Sequence, residues 1–229
     1  MKLDILKTLN EERSARRAAI VVTHQETGQQ RLVKGTEAAT DPLADVLGKR
    51  LRSGKSGIEE DTPEGRVFLT VHVPPPRLVI TGAVHISQAL APIGKMLDYD
   101  VTIVDPRTAF ATPERFPDVN VIAEWPDVAL PPIGIDRYTA FVALTHDPKI
   151  DDPGLILALK SDCFYSGALG SRKTHARRLE RLKTEHGFGD NDVGRIHAPI
   201  GLNIGAVSPA EIAVAIMGEI TESLRRAPD

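Results

Sequence analysis

"RLVITGAVHISQAL", Arg77–Leu90, carries an apolar run (Leu78, Val79, Ile80) into Gly82 and then continues with helical periodicity. A strand that enters a helix through a glycine is the opening of a nucleotide-binding α/β domain. In the dinucleotide fingerprint G-x-G-x-x-G, the second and third glycines would fall at positions 84 and 87, where this chain has Val84 and Ser87. A β-branched side chain at the second position obstructs close approach of a pyrophosphate to the backbone. The following helix start still offers N–H groups and a positive dipole end to an anion. A dinucleotide in the usual pose is therefore disfavoured. His85 beside the turn is either a phosphate donor or a packed or solvated helix-start histidine.

Downstream, short apolar strands alternate with helical patterns. HISQALAPIGKML reads as a helix, VTIVD (Val101–Asp105) and VNVIA (Val119–Ala123) as strands, and YTAFVALTH (Tyr138–His146) as a strand covered on both faces. DPGLILALKS reads as a helix, and DCFYSG as a short strand containing Cys163. SRKTHARRLERLKTEHG and SPAEIAVAIMGEITESLRR are two more helices. The last has Ser208 as N-cap, Pro209 at the first position and Glu211 three residues after the cap. This alternation predicts an α/β fold, a Rossmann-like doubly wound parallel sheet, over residues 74–229.

Pro74-Pro75-Pro76 is a stiff spacer in front of that region. Before it, AAIVVTH and RLVKG flank the turn-like ETGQ as a hairpin, PLADVLGKRLRSG reads as a helix, and VFLTVHV (Val67–Val73) alternates as a strand. Residues 1–73 thus form a small N-terminal α+β unit. The whole chain of 229 residues is 41% hydrophobic and 26% charged, with a net charge of -3, so nothing global points to nucleic acid or a membrane surface. Apolar runs are strand-length, the N-terminus lacks the apolar centre of a signal peptide, and one cysteine permits no intrachain disulfide. A cytoplasmic protein without an integral membrane segment is expected.

Ligands of a doubly wound sheet gather at the carboxyl ends of its strands. Gly82 falls there, as do Asp105, Thr145-His146-Asp147, and the GALGS segment Gly167–Ser171. Asp105 lies 23 residues beyond Gly82, near the spacing of about 20 for a ribose-binding carboxylate, although an Asp before Pro106 also initiates turns. In GALGSRKTHARR, Ser171 is a plausible N-cap, and Arg172, Lys173 and His175 crowd the first turn with positive charge. The helix dipole disfavours cations there, so the pattern points to an anion held at Ser171–Lys173. Arg177, Arg178, Arg181 and Lys183 read as a solvated basic face. Asn203, in the loop His197–Val207, either hydrogen-bonds a heterocycle edge or is a turn residue. Thr145, His146 and Asp147 make an incomplete metal set and fit turn and cap chemistry as well. Cys163 reads as an inert core thiol.

The order GA-x-H, VDPR, THD, GALGSRKTHARR and HAPIGLNIGA-x-(S/T)-P-x-EIAVAIM resembles the XdhC/CoxF family of accessory proteins, across residues 74–229. The resemblance implies a Rossmann-like domain that acts as a chaperone rather than an enzyme. Such proteins receive the molybdenum cofactor, support its modification, often by sulfuration, and deliver it to a molybdenum hydroxylase of xanthine or carbon monoxide dehydrogenase type. It implies molybdopterin, in mono- or dinucleotide form, as ligand, with a nucleotide as a further candidate. An apo molybdenum hydroxylase and a sulfurtransferase are the implied partners, and a homodimer the implied assembly. Gly82, His85, Asp105, Arg107, Thr145, His146, Asp147, Gly170, Ser171, Arg172, Lys173 and Asn203 are the candidate contacts. Two departures stand out: Val84 replaces the glycine of G-A-G-H, and residues 1–73 lack the G-S-x-P-R and G-G-C segments of longer members. An NAD(P)-dependent oxidoreductase or a nucleotide-sensing module is the alternative, on the strength of Gly82 and Asp105.

Overall fold

The structure, a computed structural model, describes residues 2–226. The chain divides into two compact units: one reaches to Pro74 and takes in the segment from Arg225, and the other is Pro75–Leu224. The division falls inside the triple proline.

The first unit comprises α1 (Leu3–Ser14), β1 (Ala19–His24), β2 (Gln30–Lys34), a 3-10 turn (Ala38–Thr40), α2 (Ala44–Ser53), β3 (Gly57–Glu59) and β4 (Val67–His72). Its four strands form an antiparallel sheet ordered β2-β1-β4-β3. Central β1 is apolar from Ala19 to Val22 because both of its faces are covered there. Ile20 and Val22 pack with Leu43 and Leu47 at α2, while Ala19 and Val21 pack with Ile5 and Leu9 of α1. Helix α1 is not apparent in the sequence, since only Ile5, Leu9 and Glu12 of its twelve residues are buried. So narrow a stripe scarcely registers as amphipathic.

The second unit comprises β5 (Arg77–Thr81), α3 (His85–Met96), β6 (Asp100–Val104), β7 (Asn120–Ile122), α4 (Pro126–Ile133), β8 (Thr139–Ala143), α5 (Pro148–Leu159), β9 (Tyr165–Ala168), α6 (Arg172–His186), α7 (Asp190–Val193), β10 (Ile196–His197) and α8 (Pro209–Arg225). Every pairing in its six-stranded sheet is parallel, and the order is β10-β9-β8-β5-β6-β7. Numbered within the unit this is 6-5-4-1-2-3, the doubly wound Rossmann order, with its switch point between β5 and β8.

Alternation within the strands builds two cores. Leu78, Ile80, Ala140 and Val142 face one side, with Leu90 of α3 and Ile216 and Ile220 of α8. Val79, Phe141 and Ala143 face the other, with Leu155 and Ala158 of α5 and Leu182 of α6. Several boundaries differ from the sequence reading. Cys163 precedes β9 instead of lying in it, and His197 belongs to a sixth strand instead of a loop. Helix α4 escaped notice because Pro126, Pro131 and Pro132 argue against a helix; Pro126 sits at the tolerated first position. No helix among the described residues is long and apolar enough to cross a membrane.

Candidate functional site

The turn after β5 lies at the switch point, and its polar groups are consumed by the protein itself. The Gly82 N–H donates to the Val104 carbonyl at 2.9 Å, and the Ala83 N–H donates to Asp105 Oδ2 at 2.7 Å. The Ser87 hydroxyl donates to the Gly82 carbonyl, and the Val84 N–H reaches that hydroxyl oxygen at 3.4 Å. Gly82 has φ +111°, and a Cβ there would stand 2.8 Å from Thr145 Cγ2. Glycine is required here both by backbone conformation and by the approach of the turn after β8. From the far side, Arg115 donates to the Ala83 carbonyl at 2.9 Å and to Gln88 Oε1 at 3.1 Å. That arginine gave no sequence signal, since only the folding back of residues 106–118 brings it to the turn.

Asp105 differs most from its sequence reading. It is 0% exposed, and its second oxygen accepts from the Arg107 N–H and Nε, both at 2.9 Å. Arg107 Nη2 adds a contact at 2.6 Å to the oxygen already held by Ala83. Burial alone would raise its pKa, but the Arg107 guanidinium and the two backbone donors outweigh burial and hold it below the ordinary value. Every oxygen is spoken for, so this carboxylate frames the turn and presents no free acceptor to a ribose.

The turn after β8 is organised by an aspartate that the sequence, through Asp151-Asp152-Pro153 beside Asp147-Pro148, assigns to turn and helix-cap chemistry. Buried Asp151 accepts from the Thr145 N–H at 3.2 Å, the Thr145 hydroxyl at 2.8 Å and the His146 N–H at 3.0 Å. Asp147 caps α5 by accepting from the Lys149 N–H at 3.0 Å. His146 is left exposed at φ +64°, a left-handed conformation that costs a non-glycine residue energy. The spacing THDPxxD after an apolar stretch carries the signal for Asp151, because an acid four residues after a cap often folds back on the turn.

The turn after β9 carries Gly170 and Ser171, which caps α6 by accepting from the Thr174 N–H at 3.2 Å. Beyond β10, the chain folds onto α8. Glu219 Oε2 accepts from the Gly201 N–H at 2.7 Å and the Tyr165 hydroxyl at 2.5 Å, while its Oε1 lies 3.0 Å from His197 Nδ1. Burial opposes the charge on Glu219, but these three partners prevail and its pKa is lowered; the Tyr165 hydroxyl is pushed upward by burial and by Glu219. Gly201, at φ +93°, presses against the Ile216 N and Ala215, where a Cβ would come within 3.0–3.1 Å.

The loop so anchored closes a pocket of about 380 Å³ with Leu169, Arg172, Ile200, Asn203, Gly205 and Ile212 in its lining. A second cavity of about 160 Å³ lies between α5 and α6, where His146, Thr174, Arg177, Arg178 and Arg181 meet. The candidate contacts are thus dispersed. Arg172 and Asn203 share the larger pocket, and His146 joins the smaller cavity. Gly82 and Thr145 meet at the switch point, and Asp105 and Arg107 brace it. His85 and Lys173 are exposed and line neither cavity. Buried Cys163 lies against the Ala158 carbonyl at 3.4 Å, and burial raises its pKa. No group of three or more His, Cys, Asp or Glu side chains among the described residues is arranged to hold a metal ion.

Strand order, the glycine at the switch point and a pocket at the strand ends define a Rossmann-type domain. More particularly, residues 78–220 match the XdhC Rossmann domain, and the chain belongs to that family. It is 30% identical over 161 residues to a probable xanthine dehydrogenase subunit of Bacillus subtilis (strain 168), covering 70% of this chain and 46% of that one. It is 31% identical over 144 residues to the molybdenum cofactor insertion chaperone PaoD of Escherichia coli (strain K12), covering 63% of this chain and 39% of that one. The chain therefore spans less than half the length of these two relatives. A crystal structure described as a xanthine dehydrogenase from Bacillus halodurans matches with a TM-score of 0.67 at 21% identity, over 98% of this chain and 65% of that one. At that identity the likeness speaks for the fold.

Proposed function

We propose that the protein binds the molybdenum cofactor and hands it to a molybdenum hydroxylase of xanthine or carbon monoxide dehydrogenase type. One observation carries this reading. Arg172 from GALGSRKT and Asn203 from HAPIGLNIG, separated by 31 positions, line one pocket of about 380 Å³. That volume is within the range of small-molecule sites. The residues present fit the group. The Arg172 guanidinium suits a phosphate, the Asn203 amide suits the donor–acceptor edge of a pterin, and Leu169, Ile200 and Ile212 supply apolar surface for a ring. Once delivered, the cofactor supplies the redox metal of the client enzyme; this chain's part is to hold and release it. The lining contains no thiol, so sulfuration, where it occurs, draws on a sulfurtransferase. Action in the cytoplasm, as a homodimer, completes the proposal.

The oxidoreductase alternative has less support, because the N–H groups of the first turn and the Asp105 carboxylate are already engaged. To test the proposal, the protein is purified from cofactor-producing cells, and molybdenum and pterin are assayed. Wild type and the Lys160→Glu control should carry both, while Arg172→Glu loses at least tenfold. A wild type without pterin above background, or unaltered retention in Arg172→Glu, would count against it.

A further inference from the structure

We propose that the cavity between α5 and α6 is a binding site for a tetrahedral oxyanion, with phosphate or a phosphate monoester as its chemical class. The reading rests on the local geometry alone. This cavity shares no lining residue with the larger pocket, so it stands or falls apart from the cofactor proposal.

Arg178 is the central observation. Only 3% exposed, it donates from Nη2 to the Leu169 carbonyl at 2.9 Å, while Nε and Nη1 have no partner. A buried guanidinium with unmet N–H groups is an unstable arrangement unless something else supplies acceptors. Burial lowers its pKa, against the opposing fields of Asp151 and Asp152. Those carboxylates line the same cavity but are committed elsewhere. Asp152 accepts from Arg181 Nε at 2.9 Å and Nη2 at 3.1 Å, and Asp151 accepts from the turn after β8.

The charge balance favours an anion. Arg177, Arg178 and Arg181 face two aspartates, a surplus of one positive charge (3 − 2 = 1), and Arg177 forms no ion pair among the described residues. Thr174, from the first turn of α6, adds a hydroxyl, and the helix N-terminus adds its positive end. Size is compatible with this class. A cavity of about 160 Å³ accommodates a five-atom oxyanion together with bridging water. The sequence reading of Arg177, Arg178 and Arg181 as a solvated face is thereby revised: Arg178 is buried, and all three border one cavity.

The test uses the whole chain at constant ionic strength, exchanging potassium chloride for potassium phosphate while thermal unfolding is followed. Phosphate should raise the midpoint saturably above the chloride baseline, and Arg178→Met should weaken the half-saturating concentration at least tenfold. Arg177→Gln should weaken it severalfold, and exposed Lys160→Gln should leave it unchanged. A parallel series with ribose 5-phosphate separates the sources. Tighter binding than inorganic phosphate marks the end of a larger ligand, and weaker binding marks a free oxyanion. Should Arg178→Met fail to fold, the phosphorus-31 linewidth of phosphate titrated with wild type and with Arg177→Gln decides. Phosphate that acts no differently from chloride, or that shows no protein-dependent broadening, overturns the proposal and leaves a merely hydrated cavity.

Discussion

Replacing Asp105 with Asn separates a framing carboxylate from a ligand-binding one. The side chain keeps its size, but one carboxylate oxygen becomes an NH2 group that faces donors. Asp105 accepts four hydrogen bonds, at 2.7, 2.9, 2.9 and 2.6 Å, three of them from Arg107 and one from the buried turn. The amide can serve one oxygen's pair of donors and must forfeit the other. Charge-assisted bonds contribute about 1.5–3 kcal/mol each, and half-exposed Arg107 regains some of the loss from water, so a net cost of about 3 kcal/mol is expected. For a unit of this size that is a fall in Tm of roughly 6–12 °C. The pH dependence supplies the sign. Asp105 is held below its ordinary pKa, so its contribution is present above the unfolded value of about 3.9 and is lost as pH falls through the folded value. Urea unfolding of wild type and Asp105→Asn should therefore differ most near neutrality and converge in acid. A gap below about 0.5 kcal/mol at pH 7, smaller than one ordinary hydrogen bond, would refute the reasoning. So would a variant of native stability that has lost its ligand.

Gly82→Ala combines a strained φ of +111° with a 2.8 Å approach to Thr145 Cγ2, and should cost about 2–5 kcal/mol. Adding Thr145→Ser should restore the contact part and not the backbone part in the same unfolding assay; no rescue would mean that the methyl is not what clashes. Val84→Gly should leave NAD affinity unchanged by calorimetry, since the Gly82 and Ala83 N–H groups stay engaged, and a tenfold gain would contradict that account. Cys163 should resist iodoacetamide at pH 8 until the protein is unfolded, because burial both shields the thiol and raises its pKa. Rapid native labelling, followed by mass spectrometry, would disprove its inertness.

Local signals made the Rossmann half legible. The apolar runs of β5, β6 and β8, the Ser208–Glu211 capping box and the Ser171 cap are all written in contiguous residues, and the structure has each of them. What escaped depends on residues distant in sequence. Strand β10 is two residues long and is defined only by pairing with β9. Asp105 looked available because Ala83, 22 positions away, reaches it only after β5 and β6 lie side by side, although Arg107, two positions on, is a local partner. Arg178 looked solvated because one face of a basic helix cannot be told from another until Leu169 and α5 close over it. Helix periodicity gives a stripe, and burial of a cation within it breaks the pattern that sequence reasoning uses.

The substitution at position 84 gains its meaning from this arrangement. In a dinucleotide site the switch point is open and the first turn gives its N–H groups to a pyrophosphate. Here Thr145 fills the switch point, Asp105 and Ser87 occupy the turn, and Arg115 holds it from outside. A second glycine would open nothing, because the acceptors are internal. The unfilled spaces lie elsewhere: the larger pocket follows β9 and β10, where Glu219 fixes the loop onto α8, and the smaller one lies between α5 and α6, where Arg178 has unpaired N–H groups. On the proposed function, a closed first turn and an open pocket further on belong together. The rigid turn fixes the ends of β5, β6 and β8, and the flanking loops and helices can then be shaped to a different ligand. On that proposal, Val84 then marks displaced binding rather than a damaged fingerprint.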